Sequence, residues 1–163
     1  MEFLYPANHI KCISKIINNA SSYLVICCPF WWRTPKDVYD YQQMDIDYRL
    51  ISDVLHPILR LANKNVPVIL FCRSKYEDVL SKFFDNEISQ GRILLCTNEE
   101  FHCKLYFNEK NAIVTSKNLS NDQSKDFGVI FEDSSKVEEL GRFVLTLISD
   151  YDLKKKIKAL LKL

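Results

Sequence analysis

The chain has 163 residues, 47% of them hydrophobic and 26% charged, with a formal net charge of +1 at pH 7. This is the composition of an ordinary globular protein, long enough to bury a core, and a single domain over residues 1–163 is expected. A balance so close to neutral excludes polyanion binding driven by the overall field, so any phosphate or nucleic-acid contact must come from a local patch.

In chain order, Ile10, Ile13, Ile16 and Ile17 recur at helical spacing and predict an amphipathic helix over 8–20. Tyr23–Cys28 is a continuous apolar run stopped by Pro29, the pattern of a strand buried on both faces. Residues 29–48 show no regular period. Helical spacing resumes over 49–64, with Pro57 marking a kink or a restart. Val66–Cys72 predicts a second buried strand, 75–89 a helix with Val79, Phe83, Phe84 and Ile88 on one side, and Arg92–Cys96 a third strand after the Gly91 turn. A hairpin is expected from His102–Phe107 and Ala112–Thr115, then a strand over Phe127–Phe131 and a helical tail over 135–162. Alternating helices and strands followed by clustered strands predict a mixed α/β sheet flanked by helices.

Six cysteines, at 12, 27, 28, 72, 96 and 103, form no CxxC pair and no Cys/His cluster, so no metal site is expected. Four of them fall in or beside apolar strands and read as buried, reduced thiols. No basic segment leads into an apolar one at the N-terminus, and no run is long enough to span a membrane. The chain reads as cytoplasmic.

The chemistry concentrates in Phe101-His102-Cys103-Lys104-Leu105-Tyr106 and Thr115-Ser116-Lys117-Asn118-Leu119-Ser120. Alternation in a strand sends His102 and Lys104 to one face and Cys103 to the other. Ser116 and Asn118 repeat the same spacing one strand later. An imidazole, a fixed ammonium and two neutral hydrogen-bonding groups on adjacent strands suit an anionic phosphoryl group. Asp126 is placed to accept the second ring N–H of His102, fixing its tautomer. Each residue also has an ordinary reading: a strand histidine, an edge-strand lysine, turn chemistry for Ser116 and Asn118, an ion pair for Asp126. The ordered set favours a site. Arg33 and Arg73 follow the first two strands and either rim the crevice at the strand ends or are solvated loop charges. Trp32, within Phe30-Trp31-Trp32, either stacks a base or belongs to a core or interface plug. Arg33, Arg73, Trp32 and Lys117 are the candidate substrate contacts. His9 and His56 read as helix-surface or packing residues, Glu109 as a turn residue, and the Lys154–Lys158 run as a solvated helix face.

His102-x-Lys104, four residues and Glu109, followed by Ser116-x-Asn118, resembles the HKD motif of the phospholipase D superfamily. Thr-Ser-Lys-Asn-Leu-Ser is similar to the family's Gly-Ser-x-Asn-Leu-Ser/Thr, and Asp126-Phe127-Gly128-Val129 to its Glu-x-Gly-Val strand. Glu109 and Asp126 exchange one acid for the other. Thr115 puts a β-branched side chain where glycine is usual, beside the expected phosphate pocket. The resemblance implies a mixed, largely parallel central sheet flanked by helices. It implies no cofactor and no metal. Because the chain holds one such motif and the family's site uses two histidines, it also implies a homodimer sharing one active site. His102 of one subunit would attack phosphorus and His102 of the other would move the proton, with Lys104, Asn118 and Ser116 neutralising the phosphoryl oxygens. The activity implied is that of a phosphodiesterase acting on nucleic acid, a nuclease. The alternatives are phospholipid hydrolysis, for which no amphipathic anchor is evident and no stable membrane association is expected, and a binding or regulatory module with weak or lost turnover.

Overall fold

Leu24–Cys27 and Val68–Cys72 are apolar at every position because both faces of each strand are covered. The computed structural model describes residues 2–4, 9–29, 31, 54–119 and 126–163. A seven-stranded sheet runs through them in the order β1-β7-β6-β5-β2-β3-β4, with β1 Glu2–Leu4, β2 Leu24–Cys27, β3 Val68–Cys72, β4 Ile93–Thr97, β5 Leu105–Asn108, β6 Ala112–Thr115 and β7 Gly128–Phe131. Pairing is parallel within β2–β3–β4 and antiparallel across β2–β5, β5–β6, β6–β7 and β7–β1. The mixed sheet flanked by helices is the one expected, its parallel part confined to one end.

Helices cover both faces. α1 (His9–Asn18), α2 (His56–Asn63), α3 (Glu77–Phe83) and α4 (Asp85–Ser89) lie on one side, where Ile13, Ile17, Ile58 and Phe84 pack on Ile26, Leu70, Tyr106 and Ile113. α5 (Ser134–Thr146) and α6 (Tyr151–Leu160) lie on the other, where Val137, Val144 and Ile157 meet Val25, Ile69, Phe71 and Phe107. Adjacent strand residues thus go to opposite cores, which is the alternation of a pleated sheet made visible.

Two expected helices are each divided. The one over 75–89 begins with a 3-10 turn, Ser74–Tyr76, and breaks at Phe84, whose φ of −111° and ψ of 22° leave the helical region. That break delivers Phe84 into the core, edge-on to Phe83 with ring centroids 4.8 Å apart. The tail divides at Leu147–Asp150, where the Asp150 carboxylate caps α6 by accepting from Leu153 N–H at 2.7 Å. Pro57 falls in the first turn of α2, so it restarts a helix there; the stretch 49–53 lies outside the described residues. Trp31 is fully buried, the core reading of its aromatic run. Cys27, Cys28, Cys72 and Cys96 are buried thiols outside any disulfide, and burial pushes the Cys72 and Cys96 thiols up to about 12.

At the end of the sheet away from the candidate site, Asn108 folds the hairpin by accepting from Lys110 and Asn111 N–H, both at 2.9 Å. Its amide donates to Ile16 O at 2.8 Å. Glu109 then reaches 88 residues back in sequence, accepting from the backbone N–H and hydroxyl of Ser21 and from Ser22 N–H. Burial raises its carboxyl, but these donors outweigh it and bring the group down to about 2. Glu109 is therefore the clasp between the hairpin and the α1–β2 loop. Since its folded value lies below its ordinary one, the stabilisation is complete above about pH 4.5 and is lost as pH falls toward 2. Glu109→Gln should cost about 1–2 kcal/mol at neutral pH, by denaturant melts, and the deficit should close below pH 4.5. A deficit independent of pH would contradict the clasp.

Candidate active site

Leu105 begins β5, and His102, Cys103 and Lys104 precede it as irregular chain rather than forming its first residues. The ladder nonetheless runs one step further, since Thr115 N–H donates to Lys104 O at 3.2 Å. Upstream, Arg73 at the end of β3 donates from Nε to Phe101 O at 3.3 Å, and the Phe101 ring packs on Phe71 at 6.0 Å. Between these anchors Lys104 turns back, its Nζ 2.9 Å from His102 Nδ1 and donating to His102 O at 3.0 Å. The two side chains are side by side as expected, though a folded-back lysine and not strand alternation puts them there. An ammonium only donates, so Nδ1 is the acceptor in this contact and the neutral ring carries its proton on Nε2.

Residues 115–119 are pinned almost one by one. The Thr115 hydroxyl donates to Phe127 O at 2.8 Å and accepts from Lys117 N–H at 3.0 Å. Ser116 N–H donates to Phe127 O at 3.0 Å, while its hydroxyl donates to Asp126 Oδ1 at 2.8 Å and accepts from Phe127 N–H at 3.1 Å. The Lys117 ammonium lies 3.5 Å from Asp126 Oδ2 with its side chain 5% exposed. Lys117 O accepts from the Tyr106 hydroxyl at 3.1 Å, and Leu119 N–H reaches Cys28 Sγ at 3.2 Å. Asn118 is the exception: its Oδ1 is buried without a hydrogen-bond partner among the described residues. A buried amide oxygen left unpaired in an otherwise satisfied run marks a position kept for something else.

Burial lowers the Lys104 ammonium, and the charge of Arg73 adds to the lowering, while Cys28, Cys103 and Asp126 act in the opposite direction. Arg73 and Asp126 thus both act on Lys104, which has His102 beside it. Of the residues expected at the site, His102 and Lys104 are in contact, Ser116 is hydrogen-bonded to Asp126, and the charges of Arg73 and Asp126 act on Lys104. Sequence reasoning placed Lys117 toward substrate, whereas the structure turns its ammonium inward to Asp126. Arg33 and Trp32 lie outside the described residues. Tyr106 and Cys28 went unread. Tyr106 lies in β5 two residues after Lys104, and Cys28 directly follows β2, which pairs with β5. His9 is a packing residue, the second of its two readings, with its ring buried against Gly128.

Thr115 is explained by its partner across the ladder. It pairs with Gly128, and a Cβ there would meet Thr115 Cβ and Oγ1 at 3.0 Å and His9 Nε2 at 3.1 Å. The β-branched residue fits because glycine opposite makes room, and its hydroxyl is spent on the backbone.

No family model and no curated protein matches the chain. Solved structures do. Phosphatidylserine synthase from Haemophilus influenzae Rd KW20 superposes with a TM-score of 0.61 at 16% identity, over 98% of this chain and 43% of that one. TrmBL2, an archaeal chromatin protein described for its mode of DNA binding, superposes with a TM-score of 0.57 at 10% identity, over 86% of this chain and 48% of that one. The fold is phospholipase D-like. This chain spans less than half the length of either protein, and likeness at such identity speaks for the fold alone.

Gly128→Ala should destabilise the protein by about 1–3 kcal/mol through overpacking against Thr115 and His9. Combining it with Thr115→Gly should cost less than the sum of the two single changes, because removing one side chain makes room for the other. Strictly additive costs would contradict this account of Thr115.

Proposed function

We propose that the chain is a metal-independent phosphodiesterase that cleaves nucleic acid as a homodimer through a phosphohistidine on His102. The observation that carries this reading is the contact of Lys104 Nζ with His102 Nδ1, at 2.9 Å, beside Arg73 and the hydrogen-bonded Ser116–Asp126 pair. A cation already poised at the imidazole is what an incoming phosphoryl group needs to meet.

With its proton on Nε2 the resting ring is neither nucleophile nor strong acid. A phosphodiester oxygen draws Lys104 Nζ away, and the ring changes tautomer through solvent: Nδ1 takes a proton from water and Nε2 releases its own to water, which frees the Nε2 lone pair. The acceptor that sequence assigns to the Nδ1 proton is Asp126, whose charge already acts on Lys104. Nε2 then forms the N–P bond as the P–O bond to the leaving group breaks, and that oxygen takes a proton from the protonated His102 of the second subunit. Water, losing its proton to that same second imidazole, breaks the N–P bond and regenerates both rings. Lys104, Arg73 and Asn118 hold the phosphoryl oxygens. Lys117 serves from behind, keeping Asp126 charged and in place.

Dimerisation follows from the single motif. Phe127, adjacent to Asp126 and 71% exposed, and Phe3, 65% exposed, offer apolar surface beside the site for a second copy to cover. Nucleic acid is preferred as substrate on the likeness to a DNA-binding chromatin protein. The likeness to a phosphatidylserine synthase makes a lipid phosphodiester the comparison substrate, although no helix among the described residues is long and apolar enough to cross a membrane.

Purified protein should elute as a dimer by light scattering and cleave single- or double-stranded nucleic acid in EDTA. His102→Ala should lower the rate by about 10²–10⁴-fold or more, and Asn118→Ala by about a hundredfold. Cleavage abolished by EDTA and restored by magnesium would contradict the reading. So would cleavage that persists in His102→Ala, or a vesicle-borne phosphatidyl ester cleaved in preference to nucleic acid.

A further inference from the structure

Beside His102, a cleft of about 480 Å³ opens between the 98–103 segment and the end of α5. Its walls include Asn98, Glu100, Phe101, His102 and Phe143. The volume is in the range of small-ligand sites, and the cleft is contiguous with the imidazole, so an occupant would be joined to whatever sits at the phosphate position.

Three features describe that occupant. Phe143 lines the cleft and is 45% exposed on a helix whose neighbouring Val144 and Leu145 are buried, so among the described residues its aromatic surface is left partly open. Charge differs between the two groups of residues near His102. Lys104 and Arg73 act on one another, whereas Glu100 stands in the cleft wall and disfavours a second phosphate there. The polar groups are also partly committed: Asn98 Oδ1 accepts from Glu100 N–H at 2.8 Å, which leaves that amide its donors, and the Glu100 carboxylate only accepts. The Arg73–Phe101 bond holds this wall to the end of β3 before any ligand arrives.

We infer that the cleft is a nucleobase subsite. It seats the base of the nucleotide next to the scissile phosphate on the face of Phe143, with Glu100 accepting from an exocyclic amine. This rests on the phosphodiesterase reading for the position of the phosphate. A flat heteroaromatic ring satisfies both the open phenyl face and the polar wall. An acyl chain would cover Asn98 and Glu100 without pairing them. A carboxylate accepts from the N4 amine of cytosine and has no donor for the O4 of thymine, so the subsite prefers amine-bearing bases.

The test is equilibrium binding of fluorescent single-stranded oligonucleotides to His102→Ala protein, in which turnover is blocked and affinity is read directly by anisotropy. Phe143→Ala should weaken binding of oligo-dC about tenfold or more and leave a base-free abasic strand of equal length unchanged. Phe143→Tyr should bind as the parent does, which separates lost stacking from lost folding. Glu100→Gln should erase the preference for oligo-dC over oligo-dT. Equal weakening of base-bearing and abasic strands by Phe143→Ala overturns the inference, as does no effect or no binding of any strand by the parent. The two readings fail separately. Base-dependent binding without cleavage by the unaltered enzyme would leave the subsite and remove the phosphodiesterase. Cleavage with binding indifferent to Phe143 would do the reverse.

Discussion

The clamp between the end of β6 and the start of β7 is the constraint on which the site depends. Thr115 and Ser116 hold Phe127 and Asp126 through the four bonds of a backbone-and-hydroxyl lattice, each between 2.8 and 3.1 Å. Because the same Thr115 also donates to Lys104 O, one short segment ties β5, β6 and β7 together at the end where the chemistry lies. A serine in a ladder usually contributes little. Here its hydroxyl both donates and accepts, so its full hydrogen-bonding capacity is directed at holding a carboxylate. The arrangement satisfies its own polar groups and leaves Asn118 as the buried amide with an unpaired oxygen.

That rigidity has an electrostatic purpose. Two cations, Lys104 and Arg73, approach at a partly buried position, which costs free energy unless an anion arrives to compensate. Asp126 offsets part of the charge but is itself engaged by Lys117. A doubly coordinated carboxylate is held in place when Lys104 moves, so in the proposed chemistry a phosphoryl group would shift one flexible side chain over a fixed floor, and its binding free energy would go to the imidazole tautomer and not to rebuilding the pocket.

Much of the architecture was legible in the sequence because it rests on local pattern. The isoleucines of α1 and the apolar runs of β2 and β3 report period and burial directly. The divisions at Phe84 and at Asp150 were not, since helical spacing continues across both and only tertiary packing shows why each helix must turn. His102 and Lys104 were paired for a reason that proved incomplete: the contact is real, but the strand begins at Leu105, three residues after His102. Lys117 illustrates the limit most clearly. Its neighbours in the motif pointed it toward substrate, whereas the turn after β6 carries it under Asp126, a partner that only the β6–β7 pairing could reveal. Glu109 was read as a turn residue, and its depressed carboxyl comes from serines 88 residues away.

The proposed chemistry makes His102 a covalent carrier, and rapid quench under alkaline conditions followed by peptide mass spectrometry tests this most directly. With a phosphodiester bearing a good leaving group, the account predicts an acid-labile phosphoryl adduct on Nε2 of His102, formed in EDTA and absent from Lys104→Ala. Turnover with no adduct at any time point, and with solvent oxygen entering the product by a single inverting displacement, would contradict it.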